Sequence, residues 1–377
     1  MNLLYIRNIF TIVVTLLTAI ISLNYFVDPG AIYYRSGGNF PDMYAKSLLE
    51  SDNGLLWSSN IISDRELALG LSSHVESADC VVIGSRNVMQ IGTYGEPRSL
   101  DGTCNTILNL AVSGGGIADH LILTYLAIKN GPPKKIILGV DAWILANKSE
   151  SMGSSVKLSS RYSANYEDAQ LVILNSIQED KVSLAKYLNL INLEYTKKSI
   201  SLLWKWVSGN NSFIGISNVT KKVEVLIGTE SAVELPDGSL VYPYAYINTA
   251  KEIPIPEDYF YYKNRTGSGS GMLASNTYFI DIYDRILSYI IESGVVPIVV
   301  LTPYHENLWK FKDSNIVMSM SKNEEIIRQL GKKLGVSVIG SYNPKNLGCK
   351  SNEFYDFQHA TRECLSRIKM VEKNKNK

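Results

Sequence analysis

The chain carries almost no net charge, since 37 Lys and Arg against 36 Asp and Glu leave +1. It therefore lacks the basic excess that nucleic-acid binding requires. It has no Cys-x-x-Cys, so its four cysteines fit neither a zinc ribbon nor a thioredoxin-like pair. No Lys-Ser/Thr follows the Gly-rich run Ser113–Gly116, which excludes a phosphate-cradling P-loop. A Gly-x-Ser-x-Gly nucleophile elbow is missing as well, because Gly267–Gly271 has Gly where that motif needs Ser. No repeat of roughly 20–50 residues recurs, so a solenoid is out. Proline and glycine are ordinary at 12 and 27, and 45% hydrophobic residues are too many for a disordered chain. At 377 residues the chain exceeds one typical domain and falls short of three.

One long uncharged run is present. Ile9 to Val27 holds no charged residue, and as a helix it spans roughly 28 Å, close to the hydrocarbon thickness of a bilayer. Its exit, Ser22-Leu23-Asn24-Tyr25-Phe26-Val27-Asp28-Pro29, is bulky where signal peptidase needs small residues. The run reads as an uncleaved signal anchor, with a cleaved signal as the alternative. Arg7 and the α-amine before it orient the N-terminus to the cytoplasm and the body to the extracytoplasmic or periplasmic side. An even number of cysteines suits that oxidising side. Cys80 and Cys104 each open an apolar strand-like run, and Cys349 and Cys364 flank a short loop-to-helix segment. Disulfides Cys80–Cys104 and Cys349–Cys364 are expected; the alternative is four buried thiols.

After a loop-rich neck (29–78) the pattern becomes strand–helix–strand. Val81–Ile83, Ile107–Val112 and Lys134–Val140 are continuous apolar runs, with helical periodicity over Ile117–Asn130 stopped by Gly131-Pro132. The rhythm resumes with a helix over 276–293, a strand at Val295–Leu301, a helix over 322–333 and a strand at Val336–Ile339. Uninterrupted apolar strands alternating with helices predict a five-stranded parallel α/β sheet covered on both faces. Between them, 142–274 reads as an insertion after the third strand, with helices over 166–178 and 181–206, a hairpin at Asp237-Gly238 and the flexible linker Gly267–Gly271. The sheet domain is thus 79–141 plus 275–368, and 369–377 is a polar tail.

In such a sheet, functional groups lie just past the carboxyl ends of the strands. Those ends read Gly84-Ser85-Arg86-Asn87, Ser113-Gly114, Asp141 and Thr302-Pro303-Tyr304-His305, and the last strand leads to Tyr355-Asp356-Phe357-Gln358-His359. A Ser, a Gly and an Asp-x-x-His on one rim have the logic of a nucleophilic triad: His takes the Ser proton and Asp holds the imidazole. Each has a plainer reading. Ser85 suits a helix N-cap, His359 a surface histidine and His305 a loop histidine.

At these residues the chain resembles the SGNH (GDSL-like) hydrolase superfamily. The first block is matched by Val82-Ile83-Gly84-Ser85, the Gly block by Asn109-Leu110-Ala111-Val112-Ser113-Gly114, and the last by Asp356-x-x-His359. The anchor with Asn24–Pro29 is similar to that of membrane-anchored bacterial polysaccharide O-acetyltransferase-like proteins. The resemblance implies a doubly wound, flavodoxin-like sheet and a serine esterase or O-acetyltransferase acting on a cell-surface polysaccharide, without metal or organic cofactor. It also implies a membrane protein as acyl donor. Ser85 would be nucleophile, His359 base and Asp356 its orienter, with the N–H groups of Ser85 and Gly114 as oxyanion hole. The family's third block supplies an Asn donor, yet this chain has Asp141, and an ionised Asp cannot donate. Either Asn87 or Arg86 substitutes, or the protein is a slow enzyme or none. His305, Tyr304 and Asp141 are candidate substrate contacts.

Tyrosine outnumbers phenylalanine 23 to 9, with clusters Tyr242/Tyr244/Tyr246 and Tyr259/Tyr261/Tyr262. Flat faces with polar rims suit sugar rings; the alternative is that they pack the insertion onto the sheet.

Overall fold

The computed structural model describes residues 3–28, 40–56, 62–145, 160–175, 187–208, 232–243, 275–310 and 314–370. In chain order these form α1 (Leu3–Val27), α2 (Phe40–Leu49), β1 (Leu55–Leu56), α3 (Asp64–Ser72), β2 (Cys80–Ile83), β3 (Ile107–Asn109) and α4 (Ile117–Lys129). Then come β4 (Lys135–Gly139), α5 (Ser160–Leu174), α6 (Leu193–Val207), β5 (Val233–Glu234), β6 (Leu240–Val241) and α7 (Thr277–Glu292). The last elements are β7 (Val296–Leu301), the short α8 (Glu306–Trp309), α9 (Asn315–Leu334), β8 (Ser337–Gly340) and α10 (Arg362–Leu365).

Five strands form one parallel sheet in the order β3-β2-β4-β7-β8. The chain steps outward from β2 to β3, then returns across β2 to β4, so its direction over the sheet reverses at β2. In open α/β sheets, ligand sites lie beyond the carboxyl ends of the strands at such a reversal. The strands are apolar on both sides because both sides are covered. Val81, Ile83, Leu108, Ile136, Leu138, Val299 and Leu301 face a core built with α2, α3, α4, α5, α7 and α9. Cys80, Val82, Ile107, Ile137, Ile298 and Val300, the alternate set, face a second core. The helices expected on both faces are unequally shared. The second face is closed by a 3₁₀ turn at Arg86–Val88, the β5–β6 hairpin, Phe354 and α10.

Helix α4 is buried along nearly its whole length, from Ile117 to Ala127. Helix α9 starts seven residues before its expected start at 322. Ser314 accepts a cap bond from the Val317 N–H, and burial of Val317 and Met320 supplies what weak local propensity does not. Gly335 ends α9 in the left-handed conformation. The hairpin at Asp237-Gly238 is present, and β1 from the neck pairs with β5 to make a second, antiparallel sheet. A two-residue strand has no periodicity to announce it. The linker Gly267–Gly271, tyrosines 244, 246, 259, 261 and 262, and the tail beyond Met370 lie outside the described residues.

Both disulfides are formed as expected, Cys80–Cys104 and Cys349–Cys364, with Cα separations of 5.9 and 5.3 Å. Helix α1 has a 24-residue stretch, Leu4–Val27, of mean hydropathy 2.1, long and apolar enough to cross a membrane. As anchor or signal, it is hydrogen-bonded to the body at its C-terminal end. Asn24, fully buried, donates to the Leu190 carbonyl and to Thr196 Oγ1, both at 2.8 Å, and the Tyr195 hydroxyl donates to Asp28 at 2.6 Å.

Candidate functional site

The end of β2 places Ser85 in extended conformation as the cap of the Arg86–Val88 turn, its Oγ accepting from the Asn87 N–H at 3.2 Å. The plainer reading of Ser85 as a helix cap is thus realised. The Ser85 loop is held from beneath by Asn109, whose amide donates to the carbonyls of Val88 and Ile91, each at 2.8 Å. Asn109 went unremarked as a positioning residue in the sequence; a lone polar side chain within the apolar run ILNLAV was its only signal.

Beyond β3, the turn at Ser113–Gly116 is shaped by close approach. Gly114 sits at φ +61, and a side chain on Gly115 would meet the Gly84 carbonyl at 2.5 Å, so the turn needs glycine at both positions. Helix α3 grips this turn. Asp64 accepts the Ser113 N–H at 2.5 Å, and Arg65 pairs through two nitrogens with buried Asp119 (2.9 and 3.1 Å), which also accepts the Gly116 N–H at 2.8 Å. Nothing in the sequence links α3 to this turn, because the pairings span 49 and 54 residues. With Ser113, Gly115 and Gly116 N–H groups engaged, the Gly114 and Ser85 N–H groups make no hydrogen bond among the described residues. No described atom lies within 4 Å of where a Gly114 side chain would stand.

Asp356 and His359 form a compact unit. His359 Nδ1 lies 2.6 Å from Asp356 Oδ2, while Asp356 Oδ1 accepts the N–H groups of Gln358 and His359 at 2.8 Å. Burial raises the Asp356 pKa, but the His359 hydrogen bond and charge and the two backbone donors outweigh it, so the carboxyl sits below its usual value. An ionised Asp356 only accepts, so Nδ1 carries the proton between them, and in the neutral imidazole this leaves Nε2 as the acceptor. This loop is tied to the Ser85 loop by Gln90, which donates to the Ala360 carbonyl at 2.7 Å and accepts from the Tyr355 hydroxyl at 2.8 Å.

Asp141, at the end of β4, lies between the two. It is buried, and the Asn87 amide donates to its Oδ1 at 2.5 Å. Burial raises its pKa from 3.8 to about 6 against the opposing pull of hydrogen bonds from Ser85 and Asn87 and of the His359 charge. Ser85, Asn87, Asp141 and His359 thus share one neighbourhood. Of the two stand-ins for an Asn donor, the Asn87 amide is taken by Asp141, whereas Arg86 reaches the Gly114 turn, donating to Ser113 Oγ at 2.9 Å.

Other candidates serve the interior. His305 caps α8, its Nδ1 accepting from the Asn307 N–H at 3.1 Å, and its ring lies edge-on to Phe354. Tyr304 is buried against Tyr342, its hydroxyl accepting from the Ala142 N–H at 3.3 Å. Tyr242 is buried edge-on to Tyr355, so it packs the hairpin onto the His359 loop and offers no open face to a sugar. His120, not singled out in the sequence, is fully buried in α4 next to Tyr283, and burial lowers its pKa to about 3; it is neutral and structural. Among the described residues no group of His, Cys, Asp and Glu is arranged to hold a metal ion. No protein-family model matches the chain, and no curated protein matches it in sequence.

Proposed function

We propose that this chain is a membrane-anchored, extracytoplasmic serine acyltransferase or esterase of SGNH-like architecture, acting on ester groups of a cell-surface polysaccharide. The observation that carries the reading is the Asp356–His359 pair, with Nε2 as the accepting nitrogen, in the same neighbourhood as Ser85 at the strand-order reversal. Ser85 Oγ attacks the ester carbonyl while His359 Nε2 takes its proton, and the carbonyl oxygen becomes an oxyanion. The N–H groups of Ser85 and Gly114 receive that charge, with the Arg86 guanidinium beside the turn in place of the missing Asn. Collapse expels the alcohol, protonated by His359, and leaves an acyl-Ser85 ester. A sugar hydroxyl or water, deprotonated by His359, then releases the acyl group. No step needs a metal or organic cofactor. The polysaccharide acceptor, the acetyl group and a membrane acyl donor rest on the resemblance in the motifs alone.

A second reading is a non-catalytic member of this architecture that binds glycan or scaffolds polysaccharide export. It is favoured by Asp141, which occupies the donor position with a carboxylate and hydrogen-bonds the Ser85 hydroxyl. A plain carboxylesterase is the third. Treating the full-length protein in detergent with a serine-directed fluorophosphonate, beside Ser85→Ala, separates enzyme from scaffold. One adduct, mapped to Ser85 and absent from the variant, is the expected result; a folded protein that takes no adduct overturns the enzyme. Diversion of acyl from water to added oligosaccharide distinguishes transferase from esterase.

A further inference from the structure

Helix α6 has three faces. Tyr195 and Ser199 are buried, and through Tyr195 and its neighbour Thr196 the helix is hydrogen-bonded to the end of α1. Glu194 stands on a solvated side and pairs at 2.8 Å with Lys197. The third face is open and, apart from Lys197, apolar: Leu193, Lys197, Ile200, Trp204 and Val207 fall at i, i+4, i+7, i+11 and i+14, one stripe of a 3.6-residue helix. A lysine in such a stripe lays its stem on the apolar surface and snorkels its ammonium to water. Leu193, Trp204 and Val207 are 69%, 73% and 75% exposed. Leu188 and Ile191 in the preceding turn are more than half exposed as well. A soluble surface has no use for a bare Trp amid such a stripe.

Its position says what covers it. On α1, burial is confined to the last two turns, at Asn24 and around it, while Tyr5 to Leu17 are exposed. Helix α6 therefore meets α1 where the apolar span ends, at the depth where Tyr25 and Phe26 are exposed. Aromatic residues gather at that level of a bilayer, and an amphipathic helix of this kind lies in the interface plane. We infer that α6 is an interfacial helix that lays its Leu193–Ile200–Trp204–Val207 stripe on the lipid surface of the membrane α1 spans. The inference rests on α1 being retained as an anchor. Its consequence is orientation: two lipid contacts, one spanning and one lying flat, hold the body at a set angle to the membrane.

All four native cysteines are paired, so a single new cysteine can be labelled with an environment-sensitive fluorophore. Trp204→Cys, Glu194→Cys and Leu16→Cys in the full chain, reconstituted in phosphatidylcholine vesicles, are tested with spin-labelled lipid and with aqueous iodide. The label at 204 is expected to shift to the blue, to lose intensity to spin-labelled lipid and to resist iodide, with the label at 194 behaving the opposite way. Lipid quenching at 16 with free iodide access at 204 overturns the inference and leaves the anchor standing. A label at 204 shielded from both quenchers, and uncovered on dilution of the protein, assigns the stripe to a second copy and also overturns it. Absence of lipid quenching at 16 removes the anchor, and the inference with it.

Discussion

Asp141 is the residue on which stability and chemistry pull against each other. Its folded-state pKa of about 6 stands above the ordinary 3.8 because burial disfavours the charged form. Below pH 3.8 the carboxyl is protonated folded or unfolded, and nothing is lost. As the pH climbs through about 6 the unfolded chain has already ionised, so the folded state loses about 3 kcal/mol relative to acid conditions. Asp141→Asn keeps the shape and removes the charge. Chemical denaturation at pH 8 is expected to find it more stable than the parent by up to about 3 kcal/mol, with the gain shrinking toward pH 4. In the proposed reaction it also restores an amide donor near the oxyanion, so ester turnover at pH 8 should rise. A variant that is less stable at pH 8 contradicts the assignment of a costly buried carboxylate.

Among elements, the loop between Cys349 and Cys364 stands out because it carries both Asp356 and His359. The bridge closes 15 residues of chain, and by loop-closure entropy such a link contributes about 3 kcal/mol. Cys349→Ser with Cys364→Ser should lower stability by about that amount and slow Ser85 labelling by fluorophosphonate at a temperature where the fold persists. Unchanged labelling at full loss of the bridge would mean that Gln90 and Tyr355 alone hold the loop. The five sheet strands were legible because burial on both faces demands uninterrupted apolar runs, and the hairpin because Asp-Gly favours a tight turn. β1 and the first turns of α9 were not, since tertiary contacts rather than local pattern create them. Tyr242 takes the packing alternative over the sugar platform, a choice the sequence left open because alternation assigns a face, but not whether another element covers it.

For the whole molecule the decisive join is that between α1 and the body. Removing the chain through Asp28 would take Asn24 from Thr196 and the Leu190 carbonyl and Asp28 from Tyr195, which fits the proposed anchor better than a cleaved signal. Asn24→Ala should cost about 1–3 kcal/mol, the penalty for leaving buried groups unpaired. It should appear as a lower melting temperature in detergent and earlier proteolysis of α6. The N-terminal segment is expected to persist in the membrane fraction by intact mass; a mature chain lacking it would replace the anchor with a signal.

Composition and pattern by themselves determined the apolar N-terminal helix, the parallel α/β sheet and the strand-end positions of Ser85, Gly114, Asp141 and the Asp356–His359 pair, and pointed to both cysteine pairings with free thiols as the alternative. These follow from hydrophobic periodicity and from the rule that strand ends meet at one rim, both readable along a line. Tertiary structure alone decided which polar groups pair there. It gave the Asn87 amide to Asp141, sent Arg86 to the Gly114 turn, turned His305, Tyr304 and Tyr242 inward, and docked α3 and α6 to partners far along the chain. Pairing depends on distances between segments tens to hundreds of residues apart, and on burial that raises or lowers a pKa, and neither is written in local sequence.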